Sequence, residues 1–337
     1  MTTAPHATRF SILDRSRVRQ GQTPAQALRE TVEFARLAEQ WGYRRFWVTE
    51  HHSVPGVAGS APTVLAAAIA AATERIRVGT GGVMLPNHQP LVVAEQFGVL
   101  ESLYPGRIDM GVGRSVGFTD GVRRALGHDK GDAEDFDAQL TELLGYFAAA
   151  RNGVHAWPAE GLPVPAFLLA TGSGAQRAAE FGLPLVIAAI SGEDAMVRAI
   201  DQYRNTFRPG QRSTPYVIVS TSAVIADTTA AAHRLLLPEA WSAAYSRTQG
   251  EFPALLPPAE IDRIDMTARQ RRIFDESLRG HIHGPEATVT VALDNLISRT
   301  GADEILVHTS TYDRAARLDS HRRLAAAVGL NTLVAAE

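Results

Sequence analysis

Cysteine is missing from all 337 residues. That excludes disulfides, thiolate catalysis, iron–sulfur clusters and cysteine zinc sites. A surplus of charge is missing too. The 33 Lys and Arg against 36 Asp and Glu leave a formal net charge of −3. No segment concentrates basic residues, so neither nucleic acid nor an anionic membrane is an expected partner. Long apolar runs are also lacking: the most apolar window, APTVLAAAIAAATERI, is too short and too alanine-rich to cross a bilayer. The start, MTTAPHATRF, has no basic stretch followed by an apolar one, so no signal peptide is expected. What is present is a hydrophobic fraction of 45 %, enough for a large core. The composition reads as a cytoplasmic globular protein.

The pattern along the chain alternates strand and helix. RFSIL (9–13) opens as a strand. Thr23-Pro24-Ala25-Gln26 is a capping box with proline at the first helical position, and Gly42 sits where a helix-ending glycine belongs. RRFWV, RIRVGTGGV, GRIDMGVG, PAFLLA, LPLVIAAI, YVIVSTSAVIA and EILVHTS supply seven further strands. Helices are expected at APTVLAAAIAAAT, at PLVVAEQFGVLESL, over about 132–150, and at the end around Leu318, Ala325 and Val328. Eight strand–helix units predict an α/β fold, a (β/α)8 TIM barrel formed by one domain over 1–337. An open doubly wound sheet with a second domain is the competing architecture. One region breaks the rhythm. Residues 238–284 are polar and carry Pro257-Pro258, and such a long insertion reads either as a lid or as a plain surface excursion.

In a barrel the chemistry lies where strands end. Glu50-His51-His52 follows the second strand, Gly79 to Gly82 the third, Gly111 to Ser115 the fourth, and Thr171-Gly172-Ser173-Gly174 the fifth. The last turn opens a helix and suits a phosphate, although an ordinary serine cap explains it equally well. Arg114, beside two glycines, can grip an oxyanion with its fork. Gly111, Gly113 and Gly117 miss the dinucleotide spacing by one position, so Rossmann binding is rejected. Gly81-Gly82 offers clearance for a flat ring. Neighbouring strand residues face opposite sides, so only one of His51 and His52 should face the barrel mouth. His51 then reads as a general acid or base, or as a structural hydrogen-bonding group; His52 reads as structural. His281 and His283 share a face without a third ligand, and no metal site is expected.

EHHSVPG, VGTGGVMLPNHQPLVVAEQFGVLESLYPGRIDMGVGRSVG and TGSGAQRAAEFGLP together resemble the bacterial luciferase-like monooxygenases. The resemblance extends from the first strand to GPEATVTVALDNLISRTGADEILV. It implies a barrel that uses reduced flavin, or in some branches the deazaflavin F420, and it is closest to the FMN-type branch. By the same resemblance His51 is the catalytic histidine. Gly81-Gly82 is a non-prolyl cis pair beneath the flavin ring. Arg114 holds the phosphate together with the turn Ala170-Thr171-Gly172-Ser173-Gly174. The 238–284 insertion is a mobile lid. Two positions depart from the luciferases: Gly113 replaces a reactive cysteine, and Gly174 replaces a phosphate-binding hydroxyl. Asp120 is a candidate acidic residue near the flavin, at a different spacing. The implied reaction is oxygenation of a small organic substrate by reduced FMN and O2 through a C4a-peroxide, with a separate flavin reductase and a homodimer formed through the early helices. An F420- or flavin-dependent dehydrogenase, or a flavin-binding protein without turnover, are the alternatives. Trp241, Tyr245 and Phe252 are candidates for shaping the pocket from the lid.

Overall fold

The computed structural model describes residues 8–117 and 119–330. The N-terminal segment MTTAPHA and the two ends of the expected 1–337 domain lie outside them. Strands β1 (Arg9–Asp14), β2 (Arg45–Val48), β3 (Arg77–Thr80), β4 (Val83–Met84), β5 (Ile108–Gly113), β6 (Ala166–Ala170), β7 (Leu185–Ala188), β8 (Val217–Thr221), β9 (Ala223–Ile225), β10 (Ile282–Gly284) and β11 (Glu304–Val307) are all parallel to their partners. The order β3-β2-β1-β11-β8-β7-β6-β5 closes through a β3–β5 pairing, with β4 continuing the third wall beyond Gly81-Gly82. This is a closed (β/α)8 barrel; an open sheet is ruled out.

The helices are α1 (Pro24–Gln40), α2 (Pro62–Ala71), α3 (Pro90–Leu103), α4 (Asp120–Leu126), α5 (Phe136–Ala148), α6 (Gly174–Glu180), α7 (Glu193–Thr206), α8 (Thr229–Gln249), α9 (Pro258–Ile261), α10 (Ala268–Leu278), α11 (Glu286–Thr300) and α12 (Arg314–Ala327). None of them is long and apolar enough to cross a membrane. The α1 start is the capping box its sequence specifies: Gln26 N–H donates to the Thr23 hydroxyl, and Thr23 N–H donates to the Gln26 side chain. Val93, Phe97 and Leu100 are buried on one face of α3, as the helical spacing requires.

Three differences from the sequence reading have physical causes. YVIVSTSAVIA is two strands, not one. The barrel wall ends at Thr221, and β9 then pairs with β10 in a separate two-stranded ribbon. The apolar run persists because both faces of β9 are covered: Ala223 and Ile225 join the main core, and Val224 packs with Ala232 and Leu236. The expected insertion at 238 begins in mid-helix, because α8 runs straight through Pro238. Leu237, Ala240, Trp241 and Ala244 of α8 pack against Ile261, Ile273 and Phe274, so the segment has a small core of its own. The helix expected over about 132–150 is α5, preceded by a 3-10 turn at Gly131–Asp135, and the short α4 was not anticipated.

Alternation along the strands fills the barrel in layers. At the bottom is a buried charge network. Arg45 pairs with Asp109 at 2.8 Å and Glu304 at 2.9 Å, Arg77 pairs with Asp109 at 2.7 Å, and the Tyr216 hydroxyl donates to Glu304 at 2.8 Å. Above it Trp47, Phe167, Val186, Ile218 and Leu306 form an apolar plug, with the Trp47 and Phe167 rings edge to face at 4.9 Å. The layer above the plug is the barrel mouth.

Candidate active site

A cavity of about 830 Å³ occupies that mouth. Its lining gathers Glu50, His51 and His52 after β2, Gly81 and Gly82 after β3, Arg114 and Ser115 after β5, and Ala170, Thr171, Ser173 and Gly174 at the end of β6. Four segments far apart in sequence therefore meet in one space. Gly172 is outside the lining; its φ of 49° makes it the left-handed residue of the turn. Asp120 is exposed at the start of α4, is ion-paired with Arg123, and is not part of the lining.

His51 lies in the loop that follows β2 and lines the cavity together with Thr49. Its Nδ1 lies 3.1 Å from the Thr49 hydroxyl, and Nε2 has no hydrogen-bond partner among the described residues. Burial, then the nearby positive charges of Arg15 and Arg17, hold its pKa down to about 4. The ring is therefore neutral near neutral pH. Phe252 meets it edge-on at 6.3 Å, and Arg17 lies over the other ring at 5.8 Å. The loop carrying His51 is fixed by backbone bonds from His51 N to Gly59 O (2.9 Å) and from Gly56 N to Phe252 O (2.8 Å). Gly56 is required there, because a Cβ would stand 2.0 Å from the carbonyl oxygen of Pro253.

Glu50 is buried. One of its oxygens accepts from His52 Nε2 (2.6 Å) and His88 Nε2 (2.8 Å), and the other accepts from Met84 N–H (2.9 Å). Burial pushes the carboxyl pKa up, but these bonds outweigh it and hold it below the usual carboxylate value. The His52 ring also reaches the cavity edge, so the clean opposition expected of His51 and His52 is not kept. The strand ends at Val48, and the period of two no longer governs a loop. Glu50, His52 and His88 are the one group among the described residues that could hold a metal ion. Both carboxylate oxygens are already engaged by donors, and the arrangement serves to tie the His51 loop to the chain after β4.

The Gly81–Gly82 peptide is cis. A Cβ on Gly81 would lie 2.5 Å from Leu13 Cδ1, and one on Gly82 would lie 2.8 Å from Gly111 O. Backbone packing thus demands glycine at 82 before any ligand is considered, whereas at 81 the nearest atom is the movable end of the Leu13 side chain. At the β5–β6 side Arg114 is exposed, donates from Nε to Ala133 O (2.7 Å) and is paired with no carboxylate among the described residues. Ser173 makes no side-chain cap to α6, which removes the serine-cap reading of that turn. Gly174 and Ala175 N–H close the turn on Thr171 O and Gly172 O, which leaves the Thr171 and Ser173 hydroxyls and the Gly172 and Ser173 N–H groups without a partner among the described residues. Lys130, the only lysine in the chain, and Arg177 line the same end, Arg177 being held by Asp137 at 2.8 Å.

Sequence reasoning missed Lys130, His88 and His308. Lys130 carried a signal in its uniqueness. His308 carried one in alternation, since Glu304, Leu306 and His308 are spaced two apart. His88 had none, because its partner is 38 positions away. Trp241 and Tyr245, expected to shape the pocket, pack instead into the α8–α10 core; Phe252 does approach His51.

Comparison with known proteins places these features in context. The family model for luciferase-like monooxygenases matches residues 8–304. A Bacillus subtilis (strain 168) protein, YvbT, described as uncharacterized, is 42 % identical over 94 % of this chain and 96 % of its own. An Escherichia coli (strain K12) luciferase-like monooxygenase is 37 % identical over 92 % of this chain and 94 % of its own. The crystal structure of apo-MsnO8 superposes with a TM-score of 0.84 at 33 % identity, covering 96 % of this chain and 99 % of that one.

Proposed function

The chain belongs to the luciferase-like monooxygenase family, and from that premise we propose that it uses reduced FMN and O2 to oxygenate a small organic molecule at the barrel mouth. Membership makes it an oxidoreductase that incorporates oxygen; the cofactor, the site roles and the substrate are the proposal. The observation that carries it is the polarity of one cavity. Arg114, Lys130 and the uncapped Thr171 and Ser173 hydroxyls sit at one end, the Gly81-Gly82 floor lies between, and a neutral His51 stands at the other side. A phosphorylated flat ring fits that order of groups.

Bound reduced flavin supplies the electrons that activate oxygen, one oxygen atom entering the substrate and the other leaving as water. The chain's own residues do the rest. Arg114 and the Thr171–Gly174 turn anchor the phosphate. With Nδ1–H donated to the Thr49 hydroxyl, His51 presents a lone pair at Nε2 and accepts a proton from the reacting group. Leu13, Val54, Met84, Ile187, Ile190 and Leu306 line the cavity with apolar surface that excludes water. The insertion acts as the lid, touching the His51 loop through Phe252 and Pro253. In this reading a separate reductase delivers the reduced flavin. The exposed Val64 of α2 and Val92, Val99 and Leu103 of α3 form an apolar face that suits a homodimer through these helices.

Rapid mixing of the protein–reduced FMN complex with oxygen tests the reading. Oxygen consumption faster than that of free reduced FMN, coupled to oxygen transfer on adding substrate, is expected. Substrate oxidation that proceeds without oxygen would establish the dehydrogenase instead.

A further inference from the structure

The groups assigned to the flavin leave one sector of the rim unused. They lie on β3 to β6. Around the barrel, β2, β1, β11 and β8 stand together on the other side. Their cavity-lining side chains include His51, Leu13, Leu306, His308 and Ser220. Any organic molecule that shares the cavity with a ring over Gly81-Gly82 rests against this sector.

His308 is the residue there without an occupation. It stands one residue past β11, and its N–H extends the ladder to Thr221 O at 3.0 Å. Alternation from Glu304 through Leu306 turns its ring inward, into the layer above the apolar plug. Its Nδ1 is buried and has no hydrogen-bond partner among the described residues. The other imidazoles near the cavity are committed: His52 and His88 to Glu50, and His51 through Nδ1 to Thr49. Burial, then the charge of Arg15, holds the His308 pKa down to about 4, so the ring is neutral, with one donor and one acceptor nitrogen. A missing partner alone does not make a site. His321 also lacks partners on both nitrogens, but it lies in the core beside Phe34 and Tyr43. His308 differs because it lines a cavity, where a buried polar nitrogen left unpaired is costly and a ligand can satisfy it.

We propose that His308 is the substrate-recognising residue, hydrogen-bonding an oxygen of the organic substrate and laying its apolar body over Leu13 and Leu306 with the reacting atom toward His51. The substrate class is a compact, largely apolar molecule that bears a carbonyl, hydroxyl or carboxyl oxygen. This rests on the flavin occupying the β3–β6 side.

Two probes of one skeleton test it, cyclohexyl methyl ketone and isopropenylcyclohexane, which replaces the oxygen by carbon. Binding is read from the fluorescence of FMN bound to the whole protein, for wild type, His308→Phe and His308→Asn. Wild type is expected to favour the ketone by about tenfold or more, the ordinary effect of one buried hydrogen bond. His308→Phe should abolish the preference, His308→Asn should restore part of it, and FMN affinity should stay the same in all three. A wild type that binds the ketone no better than the alkene, or binds neither at millimolar concentration, overturns the assignment, as does a preference that survives in His308→Phe. The same probes are added to flavin-free protein with 15N-labelled histidine. A ketone-specific shift of the His308 imidazole there, in a protein that fails to bind FMN, would contradict the flavin reading and leave this assignment standing.

Discussion

His51 and His308 share a condition. Each is neutral because burial and the charge of Arg15 disfavour the imidazolium, and each holds its pKa near 4. For His51 this decides the direction of proton transfer. With its one N–H engaged by the Thr49 hydroxyl, the neutral ring presents Nε2 as an acceptor and so takes a proton rather than giving one. If it acts as the base, turnover rises with pH through about 4 and shows no His51 limb at higher pH; a fall in rate above neutrality that disappears in His51→Gln would show an acid instead. His51→Ala should keep FMN binding and reduce turnover by about 10²–10⁴-fold, measured by steady-state oxygen uptake in the presence of reduced flavin. The position of His51 was legible, because a strand-ending imidazole in a barrel has few places to face. Its charge state was not, since Arg15, Arg17 and the lid residues that bury it come from elsewhere in the chain. His308 was legible in principle from the two-residue spacing of Glu304, Leu306 and His308.

At the scale of elements, the barrel bottom and the α1 start show how unevenly local sequence speaks. Thr23 and Gln26 announced their capping box, and Thr23→Ala should cost about 1 kcal/mol in urea unfolding. The network of Arg45, Arg77, Asp109 and Glu304 could not be read, because its members lie on strands β2, β3, β5 and β11 and meet only on closure. Asp109→Asn removes a charge shared by two arginines and should destabilise the fold by roughly 3–5 kcal/mol, the usual cost of leaving a buried charge without its partner. A loss below 1 kcal/mol would mean the arginines find water instead. The break of YVIVSTSAVIA into β8 and β9 was hidden for a related reason: a run that is apolar on both faces does not say which sheet it joins. Pro238 misled in the opposite sense, since a proline inside a helical pattern usually marks a boundary and here does not.

The whole molecule carries several histidines that folding keeps neutral. His321 is held to about 3, by burial first and then by Arg317, while an unfolded histidine titrates at about 6.5. The unfolded chain therefore binds these protons first. The associated stability is complete above the unfolded value and is lost as pH falls below it toward the folded values, at about 1.4 kcal/mol per pH unit for each such group. Thermal unfolding followed from neutral pH to pH 4 should show a falling midpoint, with a shallower dependence in His321→Gln; equal slopes for the two proteins would remove His321 from this role. The apolar face of α2 and α3 belongs to the same scale. If it is the homodimer contact, Val99→Glu with Leu103→Glu should give a monomer by light scattering with its fold intact.

The central claim is that the β5–β6 end of the cavity binds the phosphate of FMN. Its most direct test is the affinity of the protein for reduced FMN, reduced riboflavin and reduced F420, in wild type and Arg114→Ala. The expected result is that wild type binds FMN more tightly than riboflavin or F420, and that Arg114→Ala loses the advantage of FMN while still binding riboflavin as before. Equal affinity for FMN and riboflavin in the wild type, or a preference for F420, would contradict it.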